Sequence, residues 1–276
     1  MSKTVTAHCL VKNEERFIWY SINSVINHVD KVMLWDTGSQ DLTWEIAKEI
    51  KRMYPSKVDL REVGEIDLES FTLVRQRMLE ETKSDWFFVL DGDEAWWKES
   101  IEGLSETINK QGDTLESIIV PFYTLVGDIY HYQEKAAGKY LIDGRRGHLT
   151  IRAVNRKIPG LCVKNPYGQE GYFDESAKPI QERSPKKRKF LDTPFMHLTH
   201  LVRSSSVNLD RNVPLRATKF KYEMGRVFPY DFYYPEVFFK PRPKIVPSVW
   251  EKMESSFVTK SAILAFPRKV KRAWIR

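Results

Sequence analysis

Residues 86–97 read WFFVLDGDEAWW. Bulky apolar residues run straight into three carboxylates, Asp91, Asp93 and Glu94, and two tryptophans follow. A short apolar run bounded by a turn predicts a buried strand. The chain therefore brings three like charges to the end of a strand, where they repel and are costly to desolvate. A positive group has to sit among them. Gly92 separates the aspartates and permits a turn in which both carboxylates face one cavity. Mg²⁺ and Mn²⁺ take oxygen ligands, and one or two carboxylates with phosphate oxygens and water complete their shell. A divalent ion bridging to a nucleotide's phosphates is thus the expected neutralising group. On this reading, replacing both aspartates with asparagine relieves repulsion and leaves the fold intact. The competing reading is a strand followed by an acidic helix start whose carboxylates cap free N–H groups. Trp96 and Trp97 are read either as packing residues or as a sugar-stacking platform.

Outward from this strand, two periods alternate. Strands are expected over 4–11, 31–36, 58–63, 86–91 and 117–122. Helices are expected over 16–29, 42–53, 69–83 and 98–110, the first from Ile18, Ile22, Val25, Ile26 and Val29 at helical spacing. Strict alternation predicts an α/β fold, a mainly parallel Rossmann-like sheet flanked by helices. Ligands bind such sheets at the carboxyl ends of the strands, where Asn13, Asp36 and Asp91 all fall. Asp36 can accept hydrogen bonds from a ribose or a base. Asn13 and Glu14 either contact a nucleobase or shape the turn. Asp41 and Thr43 fit a turn and helix start.

After residue 125 the alternation fades. A strand is expected near 149–154, and 155–189 read as loops lining a site. SPKKRK (184–189) reads as a solvated basic loop, with phosphate contact as the alternative. From 226 the chain is dense in aromatics, Pro, Lys and Arg, and residues 240–276 carry ten Lys/Arg against two Glu. The net charge of +7 and pI near 9.2 favour an anionic partner. Two cysteines, Cys9 and Cys162, make neither a disulfide framework nor a zinc site. The start has no signal-peptide core, and no run of about 18 apolar residues predicts a spanning helix. The expected location is the cytoplasm, with the inner face of the membrane as a peripheral site. In the tail, Ile245, Val246, Val249, Trp250, Phe257, Ile263, Leu264, Phe266, Trp274 and Ile275 stand beside many cations. They suit either contact with an anionic membrane or packing on the preceding domain. Pro235, Pro241, Pro243, Pro247 and Pro267 argue against a long helix there.

CLVKNEERFI, WDTGSQDLT and RQRMLEETKSDWFFVLDGDE resemble, in order, the motifs of family 2 glycosyltransferases of the GT-A fold, over roughly residues 4–100. The resemblance implies a GT-A-type catalytic domain over 1–225, followed by a basic aromatic extension over 226–276. Residues 1–125 would be the nucleotide-sugar half and 126–225 the acceptor and metal half. It implies that Asn13, Glu14, Asp36, Gly38, Arg75 and Asp91 bind the donor, and that Asp91 and Asp93 form the family's DxD metal motif. Arg75 matches the arginine of an R-N pair, and Gln76 replaces the asparagine. The later half is similar through Arg152, Glu170, His197, His200 and Arg203, with Gln169 where the family has histidine. His197 or His200 would be the metal's nitrogen ligand; His8, His28, His131 and His148 lack that context. Glu170, then Asp174, are the candidate bases.

The implied activity is a metal-dependent, hexosyltransferase-like enzyme of cell-envelope glycan biosynthesis. It would use Mg²⁺ or Mn²⁺ and transfer sugar to a glycan or lipid-linked acceptor, with inversion. Nucleotidyl transfer is the alternative enzyme reading, but KNEE is a poor substitute for a Gly-rich triphosphate loop. A third reading is a non-catalytic basic protein binding membrane or nucleic acid. The intact Asp91/Asp93 pair argues against it, and no specific nucleic-acid motif is present.

Overall fold

The early apolar runs become β1 (Val5–Val11), β2 (Lys31–Asp36), β3 (Val58–Glu62) and β4 (Trp86–Val89). The computed structural model describes residues 2–274, with side chains through residue 264. β1 pairs in parallel with β2 on one side and β4 on the other, and β3 adds to β2 in the same sense. Every residue of β1 and β4 is buried. Helices cover both faces, so these strands read as continuous apolar runs rather than alternating ones. The helices are α1 (Ile18–Val25), α2 (Thr43–Met53), α3 (Leu68–Glu81) and α4 (Lys98–Gln111). α1 is buried nearly all round, as expected of a helix without a polar face. α3 starts where Asp67 accepts the Ser70 N–H at 2.7 Å, a side-chain cap on a free donor.

Beyond α4 come β5 (Glu94–Trp96, which precedes it in the chain), β6 (Ser117–Val126), β7 (Asp128–Tyr132), the hairpin β8 (Tyr140–Ile142) and β9 (Arg145–Gly147), and β10 (Leu149–Asn155). A second hairpin, β11 (Cys162–Lys164) and β12 (Gly171–Phe173), precedes β13 (Arg188–Phe190), β14 (Phe195–His200) and the short β15 (Arg226–Val227). The sheet runs β15-β7-β6-β10-β4-β1-β2-β3. β10 is inserted between β4 and β6, antiparallel to both. The sheet is thus mixed, parallel from β3 to β4 and antiparallel pair by pair from β4 out to β15. β14 returns to pair antiparallel with β5, His197 opposite Glu94, and parallel with β6. That return brings the second half of the chain to the acidic cluster.

The last elements are α5 (Val207–Asn212), α6 (Arg216–Lys219) and α7 (Ser255–Trp274). α7 runs across Pro267, correcting the expectation that prolines preclude a long helix; the other four prolines all precede it. Phe228, Val237, Phe238, Val246 and Val249 join the main core, with Ile245 and Trp250 packed against it. Those side chains are therefore withdrawn from any membrane surface, as is buried Phe257, whereas Ile263 and Leu264 are exposed. Phe266, Trp274 and Ile275 lie outside the residues whose side chains are described. Polar contacts fasten the extension: Tyr20 donates to the Pro247 carbonyl at 2.8 Å, Trp97 to that of Tyr233 at 2.9 Å, and the Met253 N–H to Asp128 at 3.0 Å. Among the described residues, no helix is long and apolar enough to cross a membrane.

Gly127 makes the last of these contacts feasible. Its φ is +78°, and a Cβ there would lie 2.8 Å from Met253 Cε and 2.9 Å from Phe257 Cε1. Gly127→Val is expected to cost about 2 kcal/mol, from left-handed strain and displacement of those side chains. Urea unfolding followed by tryptophan fluorescence measures this, and an unchanged midpoint would refute the tight seat of the extension.

Candidate active site

The turn after β4 is built by close approach. A Cβ on Gly92 would lie 2.9 Å from Glu14 Cγ and 3.0 Å from Val11 Cγ1. Gly92 is thus required because the end of β1 presses against it, and not for a left-handed backbone angle, since its φ is not among the positive ones. Ser21 holds the Asp91 carbonyl at 2.8 Å, and the Glu94 N–H closes the turn onto the same oxygen at 3.3 Å. Asp93 and Glu94 are buried, and Asp91 is part-exposed.

Arginines answer the charge problem at the two aspartates, whereas burial pushes the Glu94 carboxyl well above its usual range despite Arg152 and so favours its neutral form. Arg152, on β10, lies 2.9 Å from Asp91 Oδ2 and also contacts Glu94. Arg203, just after β14, contacts Asp93 and lies 3.3 Å from Glu14. Arg216, on α6, binds Glu14 at 2.6 Å, Asp210 at 2.9 Å, and the carbonyls of Lys12 and Asn13. Arg75, on α3, stands 3.6 Å from Asp91. Burial pushes the Asp91 carboxyl up, but Arg152 and then Arg75 outweigh it and hold it at about 2. Asp93 is also pushed up by burial, yet Arg203 and His197 pull it well below the usual carboxylate range. Arginines thus supply neutralisation that the sequence reading assigned to a metal ion. They also set a cost against the reading that removing both aspartates leaves the fold intact, since that would strip partners from buried guanidinium groups.

The cluster still suits a divalent ion. One ligand atom each from Asp91, Asp93 and His197 lie within 4.8 Å of one another. His197 Nε2 is 3.6 Å from Asp93 Oδ1, and His197 Nδ1 has no hydrogen-bond partner. Two carboxylates and an imidazole form a donor set that Mn²⁺ or Mg²⁺ accepts. His200 is not brought there, a correction to its place as a ligand. The ladder with β6 slips between the two histidines, so His197 sits opposite Thr124 and His200 opposite Val126. That is two residues further along, about 7 Å at strand rise. His200 lines a different cavity, and burial depresses its pKa to about 3.

A cavity of about 500 Å³ opens over the cluster. Of the residues singled out from the sequence, Glu14, Arg75, Asp91, Asp93, Arg152, Glu170, His197 and Arg203 line it. Asn13, Asp36, Gly38 and Asp174 do not. Asn13 is a buried joint with φ +52°, its amide oxygen accepting the Gln40 N–H at 2.7 Å. Asp36 spends both oxygens on its own turn, accepting from Gly38 N–H, Ser39 N–H and the Ser39 hydroxyl. Gly38 has φ +82° and packs on the Glu65 backbone. Asp174 is tied to Arg183 and to the Ser176 and Lys178 N–H groups, which corrects its reading as a base. Glu170 stands at the mouth of the β11–β12 hairpin and accepts the Gly168 N–H.

Sequence reasoning missed Arg216, whose partners Asn13 and Glu14 lie about 200 residues away and leave no local signal, and whose pairing with Asp210 is local. It also left Gln76 without a role. The Gln76 side-chain oxygen accepts the Val163 N–H at 2.8 Å, tying α3 to the hairpin that carries Glu170. Trp96 stacks on Phe195 at 4.7 Å, so it is a packing residue. Within SPKKRK, Arg188 is buried against Asp143 and Lys187 meets Glu116 at 2.9 Å.

The model of the family described as glycosyl transferase family 2 matches residues 9–175. Among curated proteins no match is found. Among solved structures, the chain is similar to a mannosyltransferase from Pyrobaculum calidifontis in complex with GDP-Man and Mn²⁺: 18% identity, 57% of this chain, 46% of that one, TM-score 0.39. It is also similar to TarS of S. aureus (residues 1–349): 14% identity, 78% of this chain, 65% of that one, TM-score 0.44. A third is glucosyl-3-phosphoglycerate synthase from Mycobacterium tuberculosis with Mn²⁺, UDP and phosphoglyceric acid: 16% identity, 71% of each chain, TM-score 0.45. The chain thus spans less than two thirds of the length of the first two.

The arginine pairing carries a stability consequence. The Asp91→Asn, Asp93→Asn double variant is expected to lose about 3 kcal/mol, because breaking buried pairs leaves Arg152 and Arg203 undercompensated. Urea unfolding without divalent ions is the measurement. A wild-type midpoint would mean that the carboxylates repel one another more than the arginines hold them.

Proposed function

The chain belongs to glycosyl transferase family 2, and from that premise we propose that it is a metal-dependent glycosyltransferase. In this reading it moves a sugar, a hexose by preference, from a nucleotide-sugar donor to a glycan or lipid-linked acceptor of the cell envelope, with inversion. The observation that carries it is the convergence of Asp91, Asp93 and His197 on the wall of a cavity also lined by buried Arg75, Arg152 and Arg203. Three oxygen and nitrogen donors beside guanidinium groups match a ligand that is both metal-bound and anionic, which a nucleoside diphosphate is.

Each residue then has a task. Asp91, Asp93 and His197 hold Mg²⁺ or Mn²⁺, which when bound supplies Lewis-acid stabilisation of the departing diphosphate. Arg75 has two buried nitrogens, Nε and Nη1, that lack a well-formed hydrogen bond, with the Tyr172 hydroxyl nearby, and it donates to the donor's phosphates. Glu14 holds Arg203 and Arg216 in place along the donor side. Glu170 accepts the proton of the acceptor hydroxyl while that oxygen bonds to the anomeric carbon. The sugar–phosphate bond breaks, and the diphosphate leaves with its electron pair. Asp36 and Gly38 shape the donor end of the site through the turn they form.

Residues 1–125 serve the donor in this reading and 126–225 the acceptor and the metal. The extension over 226–276 makes peripheral contact with an anionic membrane on the cytoplasmic face. Its ten Lys/Arg against two Glu over 240–276 and its exposed Ile263 and Leu264 support that contact.

Thermal shift with UDP, GDP, dTDP and CMP, with and without Mn²⁺, tests the reading. One nucleotide is expected to stabilise the fold in an Mn²⁺-dependent way, by about 2.7 kcal/mol at a hundredfold excess over Kd. His197→Ala loses that Mn²⁺ dependence and His200→Ala keeps it. Glu170→Gln keeps the shift but transfers sugar about 10²–10⁴-fold more slowly. No nucleotide response in the wild type would sink the proposal.

A further inference from the structure

The catalytic cavity has two unlike ends. The strand order sets them, since β1 and β2 lie on one side of β4, and β10 and β6 on the other. Toward β1 and α3 the wall is dense in charge, with Lys12, Glu14, Asp67 and Arg75. Toward β6 it is formed by Phe122, Tyr140 and Thr150, and the one charged lining residue from these strands is Arg152 on β10. That guanidinium is spent on Asp91 and Glu94. The metal cluster stands between a charged end and an aromatic, uncharged one.

Tyr140, on β8, is the exposed member of the aromatic end. It is 56% exposed, although its ring meets Phe122 edge-on at 6.2 Å. Phe122 in turn meets His197 edge-on at 5.3 Å, so the tyrosine is two ring contacts from the metal cluster. The cross-strand position opposite it holds Gly147, and no side chain from β9 covers the ring. The hairpin that carries it is clamped. Asp143 and Gly144 have φ of +51° and +75°, as a two-residue Asp-Gly turn of the primed type requires. Arg188 donates to Asp143 at 2.9 Å and to the carbonyls of Ile180 and Arg183, and Arg145 lies 4.4 Å over the Phe190 ring. A tyrosine on such a fixed support offers contact area at low entropic cost when a ligand covers it. Neither Trp96 nor Trp97 lines the cavity, so the sugar platform read from those tryptophans is not at their positions.

We propose that Tyr140 determines acceptor specificity, by stacking on the sugar ring next to the one that carries the attacking hydroxyl. The proposal rests on the transferase reading in one respect, that an acceptor enters this cavity. A pyranose presents C–H groups on one face and hydroxyls at its rim. The face suits the tyrosine ring, and the rim suits the Thr150 hydroxyl and water. A phosphate or carboxylate meets no unpaired cation among the residues that line this end. Tyr140 therefore makes the enzyme read two neutral units of its acceptor rather than one.

Kinetics on the full chain test it, with the sugar donor of the nucleotide that gives the thermal shift. The acceptor probes are methyl glycosides of neutral hexoses, of the corresponding disaccharides, and of a disaccharide whose second unit is a uronic acid. The wild type is expected to take neutral disaccharides with a KM about tenfold below that of the monosaccharides, the scale of one aromatic contact. Tyr140→Ala brings the two KM values together, whereas Tyr140→Phe and Tyr140→Trp keep them apart, because the ring and not the hydroxyl makes the contact. Leu141→Ala, an exposed position on the other face of the hairpin, changes neither KM. All four variants keep the nucleotide-dependent thermal shift, which separates the effect from misfolding. A disaccharide advantage that survives Tyr140→Ala overturns the role, as does its loss in Tyr140→Phe. Preference for the uronic acid also overturns it, and so does a wild type that hydrolyses the donor yet transfers to no methyl glycoside. Those outcomes leave the transferase reading standing. No nucleotide shift and no donor turnover removes that reading and the role of Tyr140 together.

Discussion

Carboxylates buried at the end of a strand have to meet cations in contact, and here the cations come from remote parts of the chain. Asp93 and Glu94 lie in the interior because β4 and β5 are packed between layers. Arg152 reaches them because β10 is inserted antiparallel beside β4, and Arg203 because β14 pairs with β5. Arg216 then joins Glu14, Asp210 and the backbone after β1, so that α5 and α6 are fixed to the first strand. Such a network does not add stability over well-packed apolar residues of the same volume. Its effect is geometric: it holds carboxylates, guanidinium groups and His197 at the wall of one cavity, where oxygen donors and anion receptors face the same space.

The parallel half of the fold was legible because its signals are local. β1 to β4 read as apolar runs and α1 to α4 as helical spacing, and each forms within a few residues of its expected bounds. The antiparallel half was less legible. β5 is only three residues long, too short for periodicity to register, and what makes it a strand is pairing with residues 195–197. The acidic pair and the histidine were readable from residue type and spacing. Their neutralisation was not: Arg152 and Arg203 were visible as residues, but their contacts are set by strand insertion and register. Asp36 shows the converse. Its position at a strand end suggested ligand contact, while a turn with a serine three residues on gave its oxygens nearer donors.

Gln76 shows how a departure from a family pattern can be structural. It sits beside Arg75 on α3 and grips the hairpin bearing Glu170 through Val163. Tyr167 adds a second tie, its N–H donating to the Leu68 carbonyl at 3.0 Å and its ring meeting Phe71 at 4.5 Å. The helix that presents Arg75 and the hairpin that presents Glu170 are thus mechanically joined, and movement of one displaces the other.

The placement of the C-terminal extension also bears on the order of events during synthesis. Phe228, Val237, Phe238, Val246 and Val249 complete the same core to which Tyr20 and Trp96 belong. A nascent chain that has delivered the whole strand-and-helix region still lacks those side chains. At about 5–20 residues per second, the ribosome leaves an interval of seconds before they emerge. Through that interval the α1 surface that Phe238 covers at Tyr20 stays wet, so this face of the core is closed only after the strand-and-helix region is already made.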